Sequence, residues 1–184
     1  MNRLTLILGG ARSGKSRFAM EHGKKSGASK YYIATAQALD AEMIRRIKEH
    51  RRQRPSDWTT IEEPLNLSEA LQSVQGKADI AVIDCLTLWL SNLLIKTNGD
   101  EKKMEAEIDR FIRAAIRLDL SVIAVSNEVG LGIVPADPMS RLFRDLAGVL
   151  HQRFAEVCHE VYWMTAGLAV QIKGDRDAKT SNHP

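Results

Sequence analysis

The sequence predicts an α/β domain with a mostly parallel central sheet and helices on both faces. Two patterns predict it. Apolar runs of strand length recur along the 184 residues, and they are nearly continuous instead of alternating, which is typical of strands buried on both faces. Segments with helical periodicity lie between these runs, so strand and helix alternate as in a doubly wound sheet.

Each predicted element follows from one of these two patterns. The apolar runs predict strands at residues 4–8, 31–36, 80–84, 121–127, 160–166 and 168–173. Helical periodicity predicts helices at residues 16–25, 40–54, 67–74, 86–96, 101–118 and 138–159. In the last of these, Leu142, Leu146, Val149 and Leu150 indicate packing in the core or against another copy of the chain.

Length and composition predict one domain and no membrane span. We expect a single domain at residues 1–173 and a polar, flexible tail at residues 174–184. The net charge of +3 is too small to indicate a nucleic-acid binder by itself. Cys85 and Cys158 lack metal-ligand spacing, which predicts core residues in a reducing cytoplasm. No apolar stretch reaches the roughly 18 to 20 residues that span a bilayer.

A glycine-rich turn, GGARSGKS, follows the first predicted strand and precedes the first predicted helix. Its spacing matches G-x-x-x-x-G-K-[ST], in which backbone N–H groups surround a phosphate chain, the lysine reaches the β and γ oxygens, and the final hydroxyl can ligate Mg²⁺. The turn predicts a P-loop nucleotide-binding domain. Its predicted phosphate-binding residues are Gly9, Gly10, Ala11, Arg12, Ser13, Gly14, Lys15 and Ser16.

Asp84 closes a predicted strand, ADIAVID, and two interpretations of it stay open. A carboxylate at the carboxyl end of a strand near a P-loop can hold the metal ion or the substrate. The same residue could also be the N-cap of the helix that begins at Leu86. We favour the metal or substrate role, and the two roles are compatible.

The P-loop alone does not identify the class of nucleotide-binding protein. A regulatory GTPase needs an N-K-x-D motif to read the base, and none occurs in the chain. A nucleic-acid-dependent ATPase usually has a longer chain and a more basic face, so a small-molecule kinase fits the length better. A nucleic-acid-binding ATPase that uses residues 45–54 as a basic patch stays as an alternative, although the run contains no aromatic side chain on which a base could stack.

The segment RRIKEHRRQRP, residues 45–55, has six basic residues in eleven and one histidine, His50. Asp40 is a good N-cap for its helix, and Pro55 ends it. Leu39, Met43, Ile47 and His50 are spaced by four, four and three residues, which predicts that His50 continues a buried stripe and faces inward.

Two interpretations of His50 follow from the residues. In the first, it closes the apolar stripe and hydrogen-bonds a backbone carbonyl. In the second, its imidazole attacks a nucleotide phosphorus and forms a transient phosphoramidate, while the neighbouring arginines stabilise the negative charge of the transition state.

Five segments together carry a resemblance to a known family: GGARSGKS, YIATAQ, DAEMIRRIKEHRRQRP with Trp58 after it, IDCLTLWLSN and SNEVGLGIVP. In this order they resemble the bifunctional adenosylcobinamide kinase / adenosylcobinamide-phosphate guanylyltransferase family of cobalamin biosynthesis. The resemblance runs from residue 4 to about residue 173. It implies a RecA-like P-loop fold, a homotrimer, and the substrates adenosylcobinamide, adenosylcobinamide phosphate, ATP and GTP, with Mg²⁺.

The resemblance also implies two reactions and their residues. A nucleoside triphosphate phosphorylates the aminopropanol hydroxyl of adenosylcobinamide; GTP then guanylylates His50 with release of pyrophosphate, and GMP passes to the cobinamide phosphate to give adenosyl-GDP-cobinamide. Besides the P-loop, the implied nucleotide contacts are Ala34, Thr35, Ala36, Arg51, Arg52, Gln53, Arg54, Glu62 and Asp84. Some relatives have Glu at the position of Asp84. A P-loop kinase without guanylyl transfer, in which His50 is structural, stays as a further alternative.

Two hypotheses concern how these parts work together. Transfer of the γ-phosphate and attack at the α-phosphorus need different poses of the nucleotide, so we expect the His50 helix to move relative to the P-loop. The segment SNEVGLGIVP leaves the predicted strand at residues 121–127, and its glycines permit either a close loop over a substrate or a tight connection. For Asn127 and Glu128 we expect contacts with the corrinoid or with a neighbouring subunit.

Overall fold

The computed structural model describes residues 3–24 and 29–174 of the chain. Its strands are β1 (Leu4–Gly9), β2 (Lys30–Ala34), β3 (Trp58–Glu62), β4 (Ile80–Asp84), β5 (Ser121–Asn127), β6 (Glu160–Thr165) and β7 (Leu168–Lys173). Its helices are α1 (Lys15–Gly23), α2 (Ala41–Gln53), α3 (Leu67–Val74), α4 (Leu86–Thr97), α5 (Glu101–Arg117) and α6 (Pro138–Val157). Apart from Gly174, the predicted tail lies outside the described residues.

The strands form one seven-stranded sheet in the order β3-β2-β4-β5-β1-β6-β7. Every neighbouring pair is parallel except β6 and β7, which are antiparallel. The predicted fold class is therefore confirmed. β3 is the strand that the sequence did not predict, because Thr59, Thr60 and Glu62 are exposed and only Trp58 is fully buried. Such a half-exposed edge strand lacks the continuous apolar run that marks the central strands.

Two apolar clusters pack on opposite faces of this sheet. In β1, Leu4, Leu6 and Leu8 belong to one cluster and Ile7 to the other, as the two-residue period of a strand requires. Helices α3, α4, α5 and α6 supply the first cluster, and α1 supplies the second. In the first, the ring of Phe111 lies 5.4 Å from that of Trp89 and 5.1 Å from that of Phe154. Trp89 is thus a packing residue.

Both cysteines are buried core residues, as predicted. Burial raises the pKa of Cys85 to about 11 and that of Cys158 to about 12, so both thiols stay protonated. Within the described ranges, no helix is both long and apolar enough to cross a bilayer.

Helix α2 departs from the prediction made for it. It begins after Asp40, whose carboxylate accepts a hydrogen bond from the backbone N–H of Met43 at 2.7 Å, as expected of an N-cap. However, Leu39 is 72% exposed, Met43 and Ile47 are only half-buried, and His50 is exposed. The prediction that His50 faces inward is wrong. Leu39, Met43 and Ile47 do have helical spacing, but the described part of the chain does not cover the side of the helix on which they lie.

Candidate active site

The carboxyl ends of the parallel strands bring most of the predicted site residues to one edge of the sheet. In spatial order from β3 to β1, this edge carries Glu62, Ala34, Asp84, Asn127 and Gly9. Backbone pairing aligns Ala34 with both Glu62 and Asp84, and Gly9 with Asn127. Neighbouring strands lie about 4.8 Å apart, so this row of strand ends spans about 19 Å from β1 to β3.

The phosphate loop closes the β1 end of the row. Gly9 has a φ of +148°, and a Cβ there would lie 2.3 Å from the carbonyl oxygen of Met164, so the close approach of β6 requires glycine. Gly14 is the N-cap of α1 with a φ of +94°, which directs the first N–H groups of the helix towards the loop. The predicted strand–turn–helix context of the P-loop is confirmed.

Lys15 fills this loop. Its side chain folds back, and Nζ donates to the carbonyl oxygen of Gly10 and, at 3.3 Å, to the hydroxyl of Ser13. The residue is only 6% exposed. Burial lowers the pKa of Lys15, and the negative charge of Asp84 acts in the opposite direction. The ammonium group therefore already lies where a phosphate oxygen could replace the Gly10 carbonyl as its partner.

Asp84 ends β4, two strands away from the phosphate loop. The N-cap of α4 is Cys85, whose sulfur accepts from the backbone N–H of Leu88 at 3.5 Å, so the capping interpretation of Asp84 is wrong. The Asp84 carboxylate instead accepts a hydrogen bond from the hydroxyl of Tyr32. It is half-buried, so one side of it stays accessible to a ligand.

Ser16 and Asp84 supply the two predicted metal ligands. A hydroxyl and a carboxylate fit Mg²⁺, which binds oxygen and usually takes its other ligands from water and nucleotide phosphates. Across residues 3–24 and 29–174, no group of three or more His, Cys, Asp or Glu side chains could hold a metal ion.

Tyr32, which the sequence did not single out, lies between Asp84 and Arg54, the C-cap residue of α2. The residue is 1% exposed, and the guanidinium of Arg54 lies 4.1 Å from the centre of its ring. Burial raises the pKa of Tyr32 well above its ordinary value of 10.0, and the negative charge of Asp84 raises it further. The hydroxyl stays protonated and donating. A tyrosine inside an apolar strand was the available signal, because its buried hydroxyl must find a partner.

A cavity of about 370 Å³ opens beside Arg54, at the β3 end of the row. Arg51 donates to the Glu62 carboxylate across it, and Nη1 of Arg54 lies 3.4 Å from the hydroxyl of Thr60. Nε of Arg54 is buried and has no hydrogen-bond partner among the described residues. The cavity is lined by Arg51, Arg54, Pro55, Trp58, Thr60 and Glu62. Two guanidinium groups therefore line the cavity, and one of them is paired with a carboxylate.

His50 lies in the last turn of α2, directly before Arg51, and its side chain is exposed like that of Arg52. The structure places this helix between β2 and β3 in the chain, beside the Glu62 end of the row. The phosphate loop follows β1 at the other end of the row. The predicted site residues thus lie along one row, with the phosphate loop at its β1 end, Asp84 and Ala34 between, and the α2 residues at its β3 end.

A buried polar network behind the end of β5 was also missed. The Ser126 hydroxyl lies 2.7 Å from Nε2 of His151 and 3.1 Å from the hydroxyl of Thr87, which accepts from the backbone N–H of Asn127 at 2.6 Å. His151 is 6% exposed, and burial lowers its pKa, so its ring is held neutral. The available signal was a histidine directly after Leu150 on the apolar side of α6.

Comparisons with known proteins identify the family of the chain. Residues 5–172 match the model of the family described as cobinamide kinase / cobinamide phosphate guanyltransferase. The chain belongs to this family. It is 48% identical over 170 residues to the bifunctional adenosylcobalamin biosynthesis protein CobP of Pseudomonas aeruginosa, covering 92% of this chain and 97% of that protein. It is 39% identical over 181 residues to the bifunctional adenosylcobalamin biosynthesis protein CobU of Escherichia coli, covering 92% and 99%.

The fold of the chain is also similar to that of a solved structure with which it shares little sequence identity. The flagellar accessory protein FlaH of Methanocaldococcus jannaschii aligns with a TM-score of 0.51 at 12% identity, over 94% of this chain and 78% of that one. At this identity the likeness concerns the fold alone, and it agrees with the RecA-like P-loop domain that the resemblance implied.

Proposed function

We propose that this chain catalyses both reactions for which its family is named. It phosphorylates the aminopropanol hydroxyl of adenosylcobinamide with ATP or GTP, and it then transfers GMP from GTP, through a guanylyl-His50 intermediate, to give adenosyl-GDP-cobinamide and pyrophosphate. The single observation that carries the proposal is the pairing of a closed phosphate loop with a separate arginine–histidine helix on one sheet edge. Family membership over residues 5–172 supports it.

The kinase step uses the β1 end of the row. Backbone N–H groups of residues 9–16 surround the β- and γ-phosphates, and Lys15 leaves the Gly10 carbonyl to bind their oxygens. Ser16 and Asp84 hold Mg²⁺, which neutralises charge on the phosphates when it is bound. Tyr32 keeps the Asp84 carboxylate in place by its hydrogen bond.

The guanylyl step uses the α2 end. The imidazole of His50 attacks the α-phosphorus of GTP, the bond from that phosphorus to the bridging oxygen breaks, and pyrophosphate leaves. Arg51, Arg52 and Arg54 stabilise the added negative charge on the α-phosphate oxygens. A phosphate oxygen of adenosylcobinamide phosphate then attacks the same phosphorus and releases His50. The remaining nucleotide contacts are assigned to Gln53, Glu62 and residues 34–36.

Two poses of the nucleotide follow from the length of the row. The end of β1, where the phosphate loop begins, and the end of β3, where Glu62 pairs with Arg51, lie about 19 Å apart. This distance supports different placements for a γ-phosphate held by Lys15 and an α-phosphate attacked by His50. This separation supports movement of α2 relative to the phosphate loop between the two steps. Structures with a nucleotide analogue bound for each half-reaction test it, and one shared base and phosphate placement would contradict it.

The uncovered side of α2 supports the homotrimer that the family resemblance implied. Met43 and Ile47 stay half-buried and Ile44 is 53% exposed, so an apolar surface is available to another copy. A cytoplasmic enzyme is expected, because both proposed reactions consume nucleoside triphosphates.

Incubation with GTP labelled at the α-phosphate tests the proposed function. The wild-type chain should acquire an acid-labile, base-stable label, as a phosphoramidate does, and His50→Ala should abolish it. Lys48→Ala is the matched control, because a lysine could form the same kind of bond from an exposed position two residues earlier in α2. A label that survives in His50→Ala and disappears in Lys48→Ala would move the nucleophile to the lysine. A wild-type chain that takes no label would favour a P-loop kinase without guanylyl transfer.

A further inference from the structure

Glu128 is a carboxylate beside the phosphate loop that neither half-reaction has so far used. Its backbone N–H donates to the carbonyl oxygen of Gly9 at 3.0 Å, directly where β1 enters the loop. It follows β5, the strand that lies between β1 and β4 in the sheet. Glu128 therefore stands between the phosphate loop and the strand that ends in Asp84.

The other carboxylates at this edge already have partners and other roles. Glu62 binds Arg51 at the far end of the row. Glu63 accepts hydrogen bonds from the backbone N–H groups of Leu65 and Asn66 at 2.9 and 2.8 Å, which holds the turn before α3. Asp84 accepts from Tyr32 and is assigned to the metal ion. Among the described strand ends, Glu128 is thus the carboxylate nearest in the sheet to the loop that holds the γ-phosphate.

The side chain of Glu128 is hydrogen-bonded on one side and faces a buried histidine on the other. Oε1 accepts a hydrogen bond from the backbone N–H of Gly130, and the side chain is 20% exposed. Oε2 lies 3.7 Å from Nδ1 of His151, which is beyond hydrogen-bond distance. That Nδ1 is buried and has no hydrogen-bond partner among the described residues. A buried polar atom without a partner is costly, and here it faces a carboxylate that needs only a small shift to reach it.

One assignment of hydrogens satisfies the network behind His151. The Asn127 N–H donates to Thr87, Thr87 donates to Ser126, and Ser126 donates to Nε2 of His151. The neutral ring then carries its proton on Nδ1, the atom that faces Glu128. Each hydroxyl donates once, and the last donor in the chain points at the carboxylate. The buried network fixes the imidazole, and the imidazole limits where the carboxylate can lie.

We propose that Glu128 accepts the proton of the substrate hydroxyl in the kinase half-reaction and that His151 is the residue that positions it. This inference rests on the proposed function. As the hydroxyl oxygen forms its bond to the γ-phosphorus, its proton passes to the Glu128 carboxylate, and the bond from the γ-phosphorus to the β,γ-bridging oxygen breaks. The nucleoside diphosphate leaves with that electron pair, and Glu128 later returns the proton to water. His151 acts through Glu128 and does not contact the reacting atoms.

Glu128→Gln tests the catalytic role. The amide keeps the shape of the side chain and an oxygen for the Gly130 N–H, but it cannot accept the proton. With adenosylcobinamide and ATP or GTP, kcat should fall at least about 100-fold, while KM for both substrates changes less than about threefold. Labelling of the same protein by α-labelled GTP should stay within about twofold of wild type, which also verifies folding. Glu128→Asp retains a carboxylate and should recover part of the lost kcat.

His151→Gln tests the positioning role, and it should lower kcat of the kinase step about tenfold with little change in KM or in labelling. Equal losses in both half-reactions would indicate a structural role for the network and overturn the proposal. An active Glu128→Gln variant with more than half of the wild-type kcat would overturn it as well. A wild-type chain that does not phosphorylate adenosylcobinamide would instead overturn the proposed function, and this inference with it.

Discussion

The two ends of the sheet edge differ in how completely the chain builds them. At the β1 end, Lys15 and Ser126 are buried and hydrogen-bonded, and the loop backbone is fixed by Gly9 and Gly14. At the α2 end, His50, Arg51 and Arg52 are exposed, and none of residues 41–52 is fully buried. The polar groups of Lys15 and Ser126 are paired inside the protein, whereas Arg51 pairs with Glu62 at the surface and His50 and Arg52 are exposed.

This difference indicates two ways of binding one nucleotide. The phosphate loop is preorganised, so binding there orders little of the protein. The α2 residues must lose side-chain freedom when they bind a phosphate, which costs about 0.5–1.5 kcal/mol for each immobilised side chain. A helix that is held by few buried contacts is also the element that can move most easily between two steps.

Lys15→Ala should have the largest effect on the preorganised end. Loss of its ammonium removes the charge that neutralises the β- and γ-phosphates, so kcat/KM for phosphorylation of adenosylcobinamide should fall about 10³-fold. Labelling by α-labelled GTP should fall much less if the two steps use opposite ends. Lys77→Ala, at an exposed lysine whose Nζ donates to the Ser73 carbonyl oxygen, is the matched control. Retained kinase activity would remove the phosphate loop from the mechanism.

The sequence predicted the β1 end well because that end obeys local rules. A strand, a glycine turn and a helix follow each other within residues 4–23, and each has a recognisable pattern. The polar partners of His151 and Tyr32 could not be predicted in this way. Ser126 and Asp84 are 25 and 52 residues away from them in the chain, so only the tertiary fold brings these pairs together.

At the α2 end, the sequence pattern predicted the helix but not the burial of its side chains. Periodicity correctly gave the helix and its N-cap, Asp40, but it could not show what covers the apolar side. Spacing reports which side chains share a face of a helix, and burial depends on the surface opposite that face. His50 was therefore placed inside although it lies at the surface.

One substitution in the core and one on α2 measure how firmly the two regions are packed. Phe111→Ala should cost about 3–5 kcal/mol of unfolding free energy, because its ring is fully buried between Trp89 and Phe154. Ile47→Ala, on half-buried α2, should cost less than about 1 kcal/mol. Urea denaturation at two protein concentrations makes both measurements. A cost for Ile47→Ala that approaches the Phe111 value and grows with concentration would show that another copy packs on α2.

The smallest predicted effect concerns the pH dependence of stability at the β1 end. Burial lowers the pKa of His151 below its ordinary value of 6.5, and the facing carboxylate of Glu128 only partly opposes this. The unfolded chain therefore binds a proton at this residue at a higher pH than the folded chain does. The contribution of neutral His151 to stability is present above pH 6.5 and is lost as pH falls below it.

His151→Gln should reduce the loss of unfolding free energy below pH 6.5. Glutamine keeps an amide oxygen that can accept from Ser126, and it does not titrate, so the unfolding free energy should fall less than in wild type as pH drops below 6.5. Urea denaturation across this range measures it. If the unfolding free energies of His151→Gln and wild type depend on pH in the same way, the folded protein must bind a proton on His151 as readily as the unfolded chain does. That would require Glu128 to move into contact with Nδ1. The β1 end would then share the mobility that distinguishes α2, and the contrast between the two ends would fail.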